Sequence, residues 1–459
     1  MRSPRTVAAV AAITIAGVGL LAGCSSSGSG SDSSDGKVSI TVASLIPGSD
    51  KAAFKAFDDR VKEFEKANPN ISVKSEEYQW TGPTFATQLA GGTLPDVFNV
   101  PFTDSQSLLQ AGQLADITAE VKALSYAGKF NENVLAVAKS GDKIYGIPYG
   151  PYAMGLSYNR EIFTKAGLDP DKPPTTWDEV RADAKTISEK VPGVAGYMQM
   201  TKGNTGGWEL TTTVYARGGR METTDGGKTK VTTNNPVTKE ALQFLHDVRW
   251  EDNAAGSNFL LDWSGINQAF GAGQVAMYPS GSDVLTALVQ QNNVDPKNYG
   301  LTALPLSDSS DAGVLVGGNV AAVSPKSTAA QRTAAVKWID FYYMQKLLDK
   351  TQAIADAKVL AKSNQPVGVP TLPVFDKATY DQTLSWIKPE VNIPLENVAP
   401  FTDKIFDANL VPEPNKHTQE LYGALDSVVQ AVLTQKNANV DQLLTTVDTN
   451  IQKLVDADK

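Results

Sequence analysis

Ile144-Tyr145-Gly146-Ile147-Pro148-Tyr149-Gly150 runs on towards Leu156-Ser157-Tyr158-Asn159-Arg160, and the pattern on either side of this stretch sets the fold class. Downstream lie Phe163, Ala166-Gly167-Leu168 and Pro174-Thr175-Thr176-Trp177-Asp178-Glu179. Thr176 and Glu179 have the spacing of a capping box, in which each side chain satisfies the other residue's backbone amide. A helix therefore opens here, with Val180, Ala184 and Ile187 on one face. Upstream, Val38, Ile40 and Val42 alternate as a strand. Ser49 or Asp50 then offers an N-cap to a helix carrying Phe54, Phe57, Val61 and Phe64 on one face. Asn68-Pro69-Asn70 stops that helix, Ile71-Ser72-Val73 begins a second strand, and a short apolar run follows at Val97-Phe98-Asn99-Val100. Near the C-terminus Leu443, Leu444, Val447, Ile451 and Leu454 recur with helical spacing. Strands alternating with helices define an α/β protein with mainly parallel sheets, whose ligand crevices lie at the carboxyl ends of strands. A chain of 459 residues without an internal repeat folds as two or three domain-sized units, or as two lobes.

The stretches quoted above, in that order, resemble the signature of the family 1 extracellular solute-binding proteins, the group that contains the maltose-binding proteins. Leu94-Pro95-Asp96-Val97 followed by Ala111-Gly112-Gln113-Leu114-Ala115-Asp116 fits the same pattern. So do Phe270 to Met277 before Gly281, and Val316-Gly317-Gly318-Asn319 before Val323-Ser324-Pro325-Lys326. The resemblance implies a two-lobe periplasmic-binding-protein-like fold with three inter-lobe crossings, near Gly150, Thr302 to Pro305 and Met344. One lobe would hold residues 38–150 and 305–344, the other 151–304 and 345–459. Ligand would sit in the cleft between them, and an ABC transporter permease would read the closed form. Closure needs differential affinity, so both lobes must touch the ligand.

The N-terminus speaks to location. Arg2 and Arg5 form a basic n-region, and the apolar run Val7 to Leu21 is fifteen residues long. That is short of the roughly 20 a bilayer-spanning helix needs. Leu21-Ala22-Gly23-Cys24 resembles the bacterial lipobox, which implies a signal peptide over residues 1–23 and a lipid on Cys24. Ser25 to Gly36 is nearly all Ser, Gly and Asp and reads as a flexible tether over residues 24–36. The expected place is the outer face of a bacterial cell membrane, or a periplasm, held by lipid alone. Cys24 is the only cysteine, so no intrachain disulfide supports the fold. Losing Arg2 and Arg5 moves the formal charge from −9 to −11, and no Lys/Arg run stands out, which argues against nucleic acid as a partner. A monomer is expected.

A sugar presents apolar C–H faces and rings of hydroxyls, so its site needs flat aromatics with Asn, Asp, Glu or Arg beside them. Trp208, between Gly207 and Glu209, matches a stacking aromatic of the maltose-binding relatives; the glycines suggest an exposed loop, with core packing the competing role. Tyr152 and Tyr149 flank the first crossing, and one of the two is structural. Trp80 and Trp263 sit in polar stretches, Trp177 reads as packing, and Ser44 and Phe102 complete the apolar and hydroxyl candidates. Where the maltodextrin binders carry further aromatics, this chain has Ser280-Gly281-Ser282-Asp283 and Asn319. That departure points to a different sugar whose hydroxyls meet Asn99, Asp283 and Asn319; Asp283 is also placed to cap the helix that follows.

An enzyme is not expected. His246 falls on an amphipathic helix and His417 follows Pro412-Glu413-Pro414-Asn415-Lys416 in a loop. With the sole cysteine assigned to lipid, no Cys/His nucleophile pair or zinc-ligand spacing exists, and neither a Gly-x-Ser-x-Gly nor a P-loop is present. A paired-carboxylate glycosidase needs no linear motif and stays open as an alternative. No cofactor or metal is expected. Within the same fold the other ligands to weigh are a polyol, a polyamine held by Asp283, Asp104 and tryptophans, or a phosphodiester held by Arg217 and Arg220.

Overall fold

The computed structural model describes residues 37–45, 47, 51–79 and 82–458. The n-region, apolar run, Cys24, tether, Ser49, Asp50 and Trp80 lie outside the described residues. Among the described residues no helix is long and apolar enough to cross a membrane.

The alternation at Val38 produces β1 (Val38–Ala43), and the helix after it, α1 (Lys51–Ala67), buries Phe57, Val61 and Phe64 against the sheet. β2 (Ile71–Glu76) pairs with β1 in parallel, residue for residue from Val38↔Ile71 to Ala43↔Glu76. β3 (Val97–Pro101) lies on the other side of β1 and hands directly into α2 (Phe102–Gln110). The decisive element is β4, fourteen residues from Gly146 to Asn159, which passes through two different neighbourhoods. Gly146 to Ala153 pair antiparallel with β8 (Val314–Val323), which in turn pairs with β3. Met154 to Asn159 pair instead with β6 (Val275–Gly281) and with β7 (Tyr299–Ala303). β5 (Ala195–Tyr197) adds to the far edge of β6 in parallel, and β9 (Leu410–Pro412) adds to β8. One strand thus belongs to two sheets, one per lobe, in a mixed α/β architecture.

Local signals hold where they are strong. α3 (Trp177–Lys190) opens on the capping box of Thr176 and Glu179 and buries Val180, Ala184 and Ile187. Trp177 packs edge-on to Phe244 and lies under the Arg217 guanidinium, so it is a packing residue. The C-terminal helix spans Val440–Ala457 with Leu444, Val447 and Ile451 buried and Leu454 exposed. His246 ends the helix Pro236–His246, as the amphipathic pattern requires.

Two hydrophobic clusters result. One, around β1, α1 and α6 (Ala329–Ile339), centres on Trp338, which is 1% exposed and sits among Phe57, Phe64, Phe341 and Tyr342. Val374 and Phe375, from the stretch expected in the other lobe, join this cluster through Phe130 and Tyr126. Packing the Phe130 and Phe375 rings 5.0 Å apart removes apolar surface that either segment alone would leave in water. The second cluster runs through β6, β7, α3, α4 (Thr205–Ala216) and α7 (Thr418–Thr434).

Trp338→Ala removes the centre of an aromatic cluster and leaves a cavity. It is expected to cost about 3–5 kcal/mol of folding stability, read as a lower urea midpoint at unchanged slope.

Candidate functional site

A cleft of about 990 Å³ opens where the two sheets share β4. From one side come Pro101, Thr103 and Asp104, at the carboxyl end of β3 and the first turn of α2, with Gly318 of β8. From the other come Tyr152, Trp208, Trp263, Asp283, Glu413 and Tyr422 among others. The carboxyl ends of β3 and β6 both point into it, which is where an open α/β sheet offers its crevice.

Tyr152 and Trp208 meet edge to face, ring centres 6.2 Å apart at 83°. Two glycine-dependent approaches hold that corner. β8 bulges between Gly317 and Asn319, and a Cβ on Gly317 would lie 2.2 Å from the Tyr152 hydroxyl oxygen. Gly206-Gly207-Trp208 is not an exposed loop: it forms the first turn of α4. Its glycines exist for close packing, since a Cβ on Gly207 would sit 2.3 Å from the Tyr422 carbonyl oxygen of α7. Asp426 of α7 accepts from the amides of Asn204 and Gly207 and so ties the two helices together. Trp263 opens the helix Trp263–Gly271, capped by Asp262, and is 37% exposed at the cleft.

Four carboxylates face this space: Asp104, Asp283, Glu413 and Glu420. Glu413 follows β9 and is only 8% exposed; the Tyr422 hydroxyl donates to its Oε1 at 3.2 Å. Burial pushes its carboxyl up from 4.5 to about 8, the charge of Asp104 adding to the rise while Tyr422 and Trp208 oppose it. Asp283 is open to the cleft yet largely surrounded by protein, and the resulting desolvation raises its carboxyl too. It does not cap the helix after it. That helix, α5 (Leu285–Asn292), has Val284 at its N-cap and no side-chain cap bond, so Asp283 keeps its carboxylate for the cleft.

The other candidates lie elsewhere. Tyr149 stacks on Tyr343 at 4.0 Å and lines a separate apolar cavity, which makes it the structural member of the tyrosine pair. Asn99 accepts from the Tyr343 hydroxyl at 3.2 Å. Asn319 sits in β8 between Pro101 and Tyr149, outside the lining. Phe102 is buried behind the Gly318 bulge, and Ser44 donates to the Glu76 carbonyl oxygen. Partners engage Asn99, Tyr149 and Ser44, and the core takes Phe102; Asn319 shares its sheet face with Pro101 without lining the cleft. Arg217 is buried against Trp177 and Phe244, and Arg220, in the loop that follows, donates to the Asp311 carbonyl oxygen; neither lines the cleft. In the amino-acid order Glu413 reads as part of a proline-flanked loop, and its one local signal is a glutamate between two prolines beside a strand end.

Two lobes joined through a shared strand, with aromatic groups from one side and carboxylates from both facing one cleft, define a two-lobe solute-capture protein. The family model for the bacterial extracellular solute-binding protein matches residues 48–346, and the chain belongs to that family. The multiple sugar-binding protein of Streptococcus mutans is 25% identical over 389 residues, 80% of this chain and 86% of that relative. A putative binding protein of Brucella abortus is 31% identical over 171 residues, 37% of this chain and only 40% of that relative. The crystal structure of the cyclic alpha-maltosyl-1,6-maltose binding protein from Arthrobacter globiformis superposes with a TM-score of 0.70 at 22% identity, covering 92% of this chain and 99% of that one.

Glu413 gives a pH signature. The folded state holds its proton up to about pH 8 while the unfolded chain releases it near 4.5, so this group's contribution to stability is lost as pH rises through that window. Glu413→Gln cannot ionise. Its melting temperature relative to the unsubstituted chain is expected to rise from pH 4.5 to pH 8, measured by parallel thermal melts.

Proposed function

We propose that this chain captures a small sugar outside the cell and delivers it to an ABC transporter permease. The observation that carries the reading is the aromatic corner of Tyr152 and Trp208, facing a cleft to which both lobes contribute polar side chains. A ring edge and a ring face give apolar cover for the C–H surface of a pyranose, and the surrounding amides and carboxylates meet its hydroxyls. The names of the relatives support the class: the Streptococcus mutans protein is a multiple sugar-binding protein, and the Arthrobacter globiformis structure is of a maltosyl-maltose binder.

In this reading residues 38–150 and 305–344 form one lobe and 151–304 and 345–459 the other, with residues 371–376 reaching back to the first. Ligand contacts come from Trp208, Tyr152, Trp263 and Asp283, joined by Glu413, Asp104 and Thr103. Cys24 carries a lipid after removal of residues 1–23, and the Ser/Gly tether holds the body off the membrane. Catalysis is no part of this function.

A thermal-shift panel of neutral mono- and oligosaccharides, polyols and phosphodiesters tests it. A true ligand at about 100 times its dissociation constant adds roughly 2.7 kcal/mol, a shift of a few degrees or less at this size. Trp208→Ala is expected to abolish the shift at the same ligand concentration. Gly317→Ala pushes Tyr152 out of place and is expected to weaken binding about tenfold. Stabilisation by no sugar at all would sink the proposal.

A further inference from the structure

The charges around the cleft narrow the kind of sugar it suits, on the reading that a sugar is captured there. The described residues that line it include four carboxylates and no lysine or arginine. Cations near by are spoken for: Lys202 faces Asp262 at 3.7 Å and Lys416 pairs with Asp458 at 2.9 Å, while His417 stands 3.9 Å from Glu420, a lining carboxylate with a basic side chain beside it. The carboxylates come from both sides, Asp104 from the start of α2 and Asp283, Glu413 and Glu420 from the opposite wall. Closing the lobes on a neutral sugar would strip further water from Asp283, whose carboxylate desolvation already disfavours, with only hydroxyl donors in exchange. A ligand bearing a positive charge removes that penalty. A bound metal ion is a poor fit, because among the described residues no three acidic, His or Cys side chains are grouped to hold one. The charges are spread along the cleft rather than focused, which suits an extended ligand.

The second observation is the aromatic corner. Glu413 is the most enclosed of the four, held by Tyr422 and next to Trp208, whose ring faces Tyr152. An ammonium beside an indole face and a carboxylate gains from both the ring quadrupole and the charge. We infer that the cleft selects a sugar bearing a protonated amine, with Glu413 as the specificity-determining counter-ion and Trp208 and Tyr152 covering the ring that carries it.

The groups facing Glu413 are the Tyr422 hydroxyl, the Trp208 indole, Asp104, and the phenols of Tyr152 and Tyr215. None brings a positive charge. In the free protein Glu413 therefore keeps its proton at about pH 6, where an aliphatic amine is charged. Seating an ammonium beside it pulls its pKa down, so binding releases a proton.

The test uses a matched pair of probes, the β-1,4-linked glucosamine disaccharide and its N-acetylated counterpart, which share a skeleton and differ in charge. Isothermal titration calorimetry at about pH 6, in two buffers of different ionisation enthalpy, reads affinity and proton release together. The amino sugar is expected to bind at least about tenfold more tightly, with the ratio falling as salt is raised and with net proton release. Glu413→Gln is expected to abolish the proton release and to shrink the ratio between the probes. Asp283→Asn, at an open position, is expected to shrink the ratio on its own and guards against a folding defect in the first variant. Equal or tighter binding of the acetylated probe would overturn the charge inference while leaving sugar capture intact. If neither probe nor any sugar of the wider panel binds, sugar capture itself fails and takes this inference with it.

Discussion

Backbone hydrogen bonds of one long strand, β4, run through both lobes, with the β8–β9 pairing adding a second tie between them. Up to Ala153, β4 donates to and accepts from β8; from Met154 it belongs to β6 and β7. A strand cannot satisfy its amides in two sheets without changing neighbour at some residue, and here the change falls at Ala153 and Met154, next to Tyr152. Any rotation of one sheet against the other has to be taken up close to this point, so movement of the lobes and presentation of an aromatic side chain to the cleft are mechanically coupled. Tyr149, three residues earlier, is stacked on Tyr343, which lies in the π-helical turn Asp340–Met344. That stack clamps the strand on one side of the change and leaves the other side to the glycine bulge of β8.

The cleft is built by close backbone approach as much as by side chains. Gly317 makes room for the Tyr152 ring, and Gly206 and Gly207 let α4 settle on α7 so that Trp208 projects from a rigid helical turn. A ring held on packed elements loses little freedom on meeting a ligand, which is the physical advantage of placing it on a helix rather than a loop. The carboxylates gathered around it are costly in the unliganded state: burial raises Glu413 and Asp283 above the ordinary range. Such a cost is tolerable where a ligand relieves it, and the described part of the chain keeps its nearby lysines engaged elsewhere.

Patterns confined to one element are legible in the amino-acid order. The capping box at Thr176, the buried face at Val180, Ala184 and Ile187, and the strand at Val38 all depend on neighbours within a turn or a residue or two, so spacing alone reveals them. Trp208, Tyr152, Trp263 and Asp283 are legible as candidates and do share one cleft. Asn99, Asn319, Phe102 and Tyr149 are equally plausible as residue types and are not in it. Asn99 and Tyr149 are engaged by Tyr343 and Phe102 by the core, and such partners are remote in the chain: Asn99 and Tyr343 are 244 residues apart.

By itself the sequence determined the α/β class, the caps and faces of its helices, the lipobox-like start and the ordered motifs of the family, because each is written in short-range spacing. Tertiary structure alone decided that β4 serves two sheets, that Gly207 packs a helix instead of freeing a loop, and that Glu413 stands beside Trp208. Those facts arise from contacts between segments remote in the chain, where close approach and desolvation set the outcome, and no local pattern records which distant backbone or charge will arrive.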